Sequence, residues 1–154
     1  MSQRGKLILS WVLVVLWAAF IFFMSAHTGS DLDEGTGLTA QIKRWLTSLA
    51  TPVFGPDTDI VSIGAHFTEY RVFGVLLFAA LFQTLPGKPL WALALAAIAC
   101  ASLYGVTDEF HQSFVPNRMC DPADWLTDTL GATLGAVVTG GIVAAKQKGR
   151  TERP

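Results

Sequence analysis

Charged residues are scarce in this chain of 154 residues. They make up 15% of the sequence, against about 25% in an average soluble protein, whereas hydrophobic residues make up 51%. Disorder is excluded, because disordered chains combine low hydrophobicity with high net charge. The 11 basic and 12 acidic residues nearly cancel, so the basic excess of a nucleic-acid-binding protein is missing too. A small membrane protein is the class that remains.

Motifs of the common enzyme and metal-binding classes are also absent. Cys100 and Cys120 form no CxxC pair and no zinc-type spacing. The sequence contains no HEXXH, no GxSxG and no glycine-rich phosphate loop. The cofactor therefore stays unknown, and a functional site has to be sought among the polar residues.

Four long apolar segments are predicted to cross a membrane as helices: residues 7–26, 60–85, 90–107 and 122–145. The first is longer than the apolar core of a secretion signal, about 7–15 residues, and is predicted to stay as a transmembrane helix. The expected fold is all-α. It is a four-helix transmembrane bundle in a single domain, residues 1–154.

A shorter amphipathic helix is predicted in the loop after the first span. Its apolar stripe consists of Leu38, Ile42, Trp45, Leu46 and Leu49. Two positions fit this pattern, one in the outer membrane interface and one packed over the mouth of the bundle. Thr51 and Pro52 are predicted to end the helix.

The charges orient the spans. Most basic residues, including Arg4, Lys6, Lys88 and those after residue 145, flank one side. Every acidic residue except Glu152 lies on the other side or in the helix ends that face it. The positive-inside rule places the basic side in the cytoplasm. We therefore predict a multi-pass plasma-membrane protein with both termini cytoplasmic and its functional surface outside.

Polar residues that are costly at membrane depth usually mark function, and here they come from three segments near the outer side. His66 and Glu69 share one face of the second span, because they are three residues apart. The candidates for acid–base chemistry are His66, Glu69, Asp108, Glu109 and His111. The candidates for substrate binding are Tyr70, Gln112, Arg118, Asp124 and Asp128.

Three roles fit these residues. A histidine tuned by a carboxylate is a general acid or base for a lipid-linked substrate. In a second role, pairs such as Glu69 with Arg71 and Asp124 with Arg118 only neutralise each other. The third role is a divalent metal site of nitrogen and oxygen ligands, although the spacing is no specific metal motif. Its ligands would be His66, Glu69, Asp108 and His111.

Two glycines continue the acidic stripe of the fourth span. Gly131 and Gly135 follow Asp124 and Asp128 at helical spacing. Small residues at such positions let a neighbouring helix approach closely. The stripe is therefore predicted to be a helix-packing face.

Residues 108–118, DEFHQSFVPNR, together with Asp124 and the DTLG segment at 128–131, resemble the VanZ-like family, named for a protein associated with teicoplanin resistance. The HFTEY segment at 66–70 is similar to the family's histidine-containing second helix. Trp17, Ile21 and Ser25 are similar to its first-helix pattern. The resemblance implies a small integral membrane protein, linked in some members to lower susceptibility to glycopeptide antibiotics.

Three functions follow as hypotheses. In the first, the protein binds or modifies a cell-envelope or lipid-linked molecule at the outer leaflet. In the second, it is a non-catalytic accessory protein that binds a lipid headgroup, a lipoglycopeptide or a partner helix. The third is a channel or transporter built from several copies. Membrane lipids are the expected partners of the first two, which also predict that His66 and residues 108–112 line one cavity near the outer interface.

Overall fold

The computed structural model describes residues 2–26, 36–55, 59–116, 118 and 120–151. This part of the chain forms five helices and no strand: α1 Gln3–Ser25, α2 Leu38–Phe54, α3 Ile60–Thr84, α4 Leu90–Gln112 and α5 Pro122–Thr151. All except α2 are long and apolar enough to cross a membrane. The predicted all-α architecture with four membrane-spanning helices is confirmed.

Three helices end later than the sequence pattern indicated. α4 continues through residues 108–112, which were expected in the connection to the fourth span. Helical hydrogen bonds satisfy the backbone there while Asp108, Glu109 and Gln112 are buried. α5 continues to Thr151, with basic side chains in its last turn that favour a helix C-terminus. The predicted end of α2 at Pro52 is wrong, because Gly55 ends it with a left-handed φ of 86°.

Side-chain caps begin α3 and α5 at the same end of the bundle. The Asp59 carboxylate accepts a hydrogen bond from the Ser62 backbone N–H at 3.1 Å. The Asp121 carboxylate accepts one from the Ala123 backbone N–H at 2.8 Å. Both acceptors satisfy N–H groups that have no partner inside the helix. We call this end, where α1 also finishes, the polar end, and the opposite end the basic end.

α3 and α5 touch at their backbones because glycines form the contact. Gly131 and Gly135 are buried in α5 and spaced four residues apart, as in the GxxxG pattern of membrane helices. A Cβ atom at any of three glycines would collide with a carbonyl oxygen of the facing helix. The colliding pairs are Gly131 with Phe67, Gly135 with Arg71, and Gly74 with Ala132. The packing face predicted from the glycine stripe is therefore the α3–α5 interface.

α1 is joined to the other helices by hydrogen bonds from aromatic side chains. The Trp17 indole N–H donates to the backbone carbonyl of Glu69 in α3 at 2.9 Å. The Tyr104 hydroxyl of α4 donates to the backbone carbonyl of Ala18 at 2.7 Å. Both bonds lie in the half of α1 that approaches the polar end, so they hold its last turns beside α3 and α4.

Polar and apolar side chains are distributed as in a protein whose solvent is lipid. Large apolar side chains such as Leu16, Phe23, Trp91 and Leu103 are exposed on the helix surfaces. Among the described residues, the buried polar side chains are Ser25, His66, Asp108, Glu109, Gln112 and Asp128. Since an apolar outer surface is favourable only in a hydrocarbon environment, the arrangement agrees with a transmembrane bundle that has a polar layer inside.

Candidate functional site

A cavity of about 230 Å³ lies at the polar end, between α1, α2, α3 and the last turns of α4. Its charged and amide side chains are His66, Glu69, Asp108, Gln112, Arg118 and Lys43. Its apolar side is formed mainly by Ile21, Met24, Ile42, Leu46 and Val61. The cavity thus has both charged and apolar lining residues, and of the predicted segment 108–112 it brings Asp108 and Gln112 together with His66.

α2 packs over the mouth of the bundle. Ile42, Lys43 and Leu46 line the cavity, and the Lys43 ammonium forms an ion pair with the Asp59 carboxylate at 3.0 Å. Other residues of its apolar stripe, such as Trp45 and Leu49, are exposed. One face of α2 therefore covers the cavity, while other apolar side chains of α2 are exposed.

A chain of hydrogen bonds crosses the charged wall. The Arg118 guanidinium donates to the Gln112 side-chain carbonyl at 3.4 Å. The Gln112 amide in turn donates to an Asp108 carboxylate oxygen at 3.4 Å. Gln112 and Asp108 are one helical turn apart in α4, which fixes their side chains on one face. Arg118, from the loop, is thereby held at the wall of the cavity.

The His66 imidazole is oriented by Asp128 of α5. The distance from His66 Nδ1 to Asp128 Oδ1 is 3.1 Å, and both side chains are buried. A carboxylate acceptor places the hydrogen of the neutral ring on Nδ1 and leaves Nε2 with a free lone pair. His66 also lines the cavity. The pair has the geometry of a general base held in one tautomer.

Glu109 lies behind the cavity and beside this pair. One of its carboxylate oxygens, Oε2, accepts a hydrogen bond from the Asp121 backbone N–H at 2.8 Å. The other, Oε1, and Asp128 Oδ2 are buried without a hydrogen-bond donor among the described residues. An unpaired buried acceptor costs about 1–3 kcal/mol, and more when it is charged. The polar layer therefore contains buried carboxylate oxygens that accept no hydrogen bond from the described residues.

Tyr70 is fully buried next to this layer. Its ring and the Asp128 carboxylate both face Gly105 of α4, where a Cβ atom would lie 3.5 Å from Tyr70 Cε1 and 3.6 Å from Asp128 Oδ2. The Tyr70 hydroxyl has no hydrogen-bond partner among the described residues. Tyr70 thus belongs to the layer that the sequence predicted, although it does not line the cavity.

Other predicted residues lie apart from the cavity. His111 stacks on Phe22 of α1, with ring centroids 4.4 Å apart, and is not among the residues lining the cavity. Asp124 is half-buried in the first turn of α5. Arg71 is exposed and has no ion-pair partner in the described part of the chain, so the expected Glu69–Arg71 pair is wrong. Asn117, within the family-like segment, lies outside the described residues.

The structure also brings together a group of possible metal ligands, which differs from the group that the sequence suggested. His66, Glu109 and Asp128 each offer one ligand atom, and these atoms lie within 4.8 Å of one another. Only His66 belongs to both sets. Helical spacing could not reveal this group, because its three members come from three different helices.

Three polar residues of the cavity, Ser25, Lys43 and Ser62, were not among the sequence candidates. Ser25 ends α1 against the cavity, and its only signal was its place in the first-helix pattern of the family resemblance. Lys43 lies on the polar face of the amphipathic helix, which would normally be a solvated face. Its role at the cavity depends on how α2 packs, which the sequence left open.

Comparison with known proteins identifies a family. A family model described as VanZ/LLP1 matches residues 10–143, a range that includes every candidate site residue named above. No curated protein and no solved structure matches the chain.

Proposed function

This chain belongs to the VanZ/LLP1 family, and we propose that it binds the headgroup of an anionic, lipid-linked cell-envelope molecule at the outer leaflet. The observation that carries the proposal is the cavity, where a charged wall meets an apolar wall at one end of a membrane-spanning bundle. An amphiphile has the same two parts. Its polar head would contact the charged wall, and its first carbon atoms would contact the apolar wall.

The size of the cavity limits the ligand. Sites for drug-sized molecules have volumes of about 300–1,000 Å³, and this cavity measures about 230 Å³. A phosphate-sized headgroup with its first few carbons fits such a volume, whereas a whole glycopeptide does not. If the protein lowers susceptibility to teicoplanin, as the family resemblance implies, we propose that it acts through a bound lipid-linked molecule.

Arg118 is the side chain best suited to hold an anionic headgroup. Its planar guanidinium carries five N–H donors, a geometry that matches phosphate oxygens. It lines the cavity and is held there by Gln112. Lys43 of α2 also lines the cavity, with its ammonium paired to the Asp59 carboxylate. The loop and the covering helix therefore each bring one cationic side chain to the cavity.

We propose the orientation that the charges predict, with the basic end in the cytoplasm and the polar end outside a plasma membrane. Lys88 follows the turn at Gly87, and Lys146, Lys148 and Arg150 lie in the last turns of α5, so all four flank the basic end. This distribution supports the positive-inside assignment. In the proposed orientation the cavity lies at the outer leaflet.

A second candidate function is acid–base catalysis on the bound headgroup. The observation that favours it is the His66–Asp128 pair, which leaves His66 Nε2 without a hydrogen-bond partner among the described residues. Binding without chemical change would make the protein an accessory protein instead. A transport pathway within one chain is disfavoured, because Phe73, Leu77 and Phe78 are buried in the core beyond the cavity; that alternative would need several copies.

Native mass spectrometry of the purified protein with a polyprenyl phosphate tests the proposal. Wild type is expected to retain the lipid, and Arg118→Gln is expected to weaken its retention about tenfold or more. The reason is that hydrogen bonds to a charged group contribute about 1.5–3 kcal/mol. Dioleoyl phosphatidylcholine, whose phosphate is masked by choline, is the comparison lipid and should be retained poorly. A change in the mass of the bound phosphate lipid would add the catalytic function.

Lys88→Gln is the matched control for the loss of one cation. Lys88 is exposed at the basic end and lies far from the cavity in the bundle. The Lys88→Gln variant is expected to retain the lipid as well as wild type does. Equal weakening in Lys88→Gln and Arg118→Gln would show that general electrostatics hold the lipid, and undiminished retention in Arg118→Gln would contradict the proposed headgroup site.

A further inference from the structure

Three side chains from three helices converge behind the cavity. His66 belongs to α3, Glu109 to α4 and Asp128 to α5, and one ligand atom of each lies within 4.8 Å of the other two. Glu109 is 3% exposed and Asp128 is fully buried. The group is therefore a closed cluster inside the bundle, unlike the exposed acidic clusters that solvent surrounds.

Each carboxylate in this cluster has one oxygen fixed and one oxygen available. Glu109 Oε2 accepts from the Asp121 N–H, and Asp128 Oδ1 lies 3.1 Å from His66 Nδ1. Glu109 Oε1 and Asp128 Oδ2 have no hydrogen-bond partner among the described residues. Fixing one oxygen of a ligating carboxylate through a second hydrogen bond is the arrangement found around protein metal ions. The available oxygens point to a ligand that accepts their electron pairs.

The spacing suits a metal ion. Bonds from Zn²⁺ or a similar ion to nitrogen and oxygen ligands are about 2.0–2.2 Å long, so ligand atoms on opposite sides of the ion are about 4.2 Å apart. The widest separation in the cluster, up to 4.8 Å, needs an inward movement of a few tenths of an ångström on each side.

We propose that His66, Glu109 and Asp128 bind a divalent transition-metal ion, Zn²⁺ or Mn²⁺, at the wall of the cavity. Imidazole nitrogen suits Zn²⁺, and two carboxylates make Mn²⁺ the other candidate. Three protein ligands leave coordination positions for other groups, as in metal sites with an open face. Because His66 also lines the cavity, the open face is next to it. The metal site does not require the proposed lipid ligand.

The test uses metal-depleted full-length protein in detergent, titrated separately with ZnCl₂ and MnCl₂ by calorimetry. Wild type is expected to bind one ion per chain. Asp128→Asn and Glu109→Gln keep the size of each side chain and remove the charged ligand, and each is expected to weaken binding about 100-fold or more. This follows because even outer partners of metal ligands change affinity by about 10–100-fold. Asp59→Asn, at the exposed N-cap of α3, is the control and should bind like wild type, because asparagine also caps a helix.

Substoichiometric binding by wild type, or equal affinity in wild type, Asp128→Asn and Glu109→Gln, overturns the proposal. A second measurement uses wild type alone, so it does not depend on whether the variants fold. Wild type loaded with Co²⁺ is expected to show ligand-field absorption that Zn²⁺ abolishes by competition. A spectrum identical to that of Co²⁺ in buffer would likewise overturn the proposal.

Discussion

Replacing Gly131 with leucine is expected to abolish most folded protein. A Cβ atom at this position would overlap the backbone carbonyl oxygen of Phe67, so relief requires α3 and α5 to separate and cannot come from a side-chain rotation. Overpacking against side chains already costs about 1–3 kcal/mol, and a backbone neighbour raises that cost. We expect the thermal midpoint in detergent to fall by about 10 °C or more, measured by fluorescence-detected size exclusion after heating.

Gly141→Leu is the matched control in the same helix. No heavy atom lies within 4 Å of a Cβ built at Gly141, and the residue is exposed. Leucine is the better helix former by about 1 kcal/mol, so the control should be as stable as wild type or slightly more so. Equal midpoints for Gly131→Leu and wild type would show that the α3–α5 contact does not have the close glycine packing described here.

Cysteine labelling of intact cells is expected to give an all-or-none result for the two ends of the bundle. Cys120 is exposed before α5 at the polar end. In a Cys100→Ser background it should react fully with a membrane-impermeant maleimide added outside. Lys88→Cys, in a background without both native cysteines, should not react until the membrane is opened, because the positive-inside rule places its turn in the cytoplasm. The readout is the mass shift of the labelled protein on a gel.

Permeabilised cells provide the control for accessibility, since both cysteines are then expected to react. Labelling of Lys88→Cys from outside in intact cells would reverse the proposed orientation. The cavity would then face the cytoplasm, and a ligand of the outer leaflet could not reach it.

The sequence predicted the helices well because membrane spans follow from composition alone. In hydrocarbon every backbone polar group must be satisfied within the segment, so a long apolar stretch such as residues 7–26 has one stable structure. The ends were harder to place. α4 continues through residues 108–112, whose polar character indicated a loop, because Asp108, Glu109 and Gln112 are buried in the bundle.

The sequence predicted only some of the residues that form the site. Helical spacing places His66 and Glu69 on one face of α3 without knowledge of other helices. It does not say which helix that face meets. His66 lies beside Asp128, whereas His111, which is equally suited to the chemistry, stacks on Phe22. Contacts between residues that are far apart in the chain depend on how the helices are rotated and crossed.

By itself the sequence determined the class, the number of spans and the presence of a costly polar layer, because these depend on transfer free energies of single residues and on helical periodicity. The glycines at 131 and 135 also marked a packing face, since the absence of a side chain is a local property. Only the tertiary structure decided which helix fills that face, that α2 covers the cavity, and that His66, Glu109 and Asp128 meet. Those outcomes depend on long-range packing: backbone contact between α3 and α5 sets how these two helices are rotated against each other, and further contacts between helices decide the placement of α2 and α4.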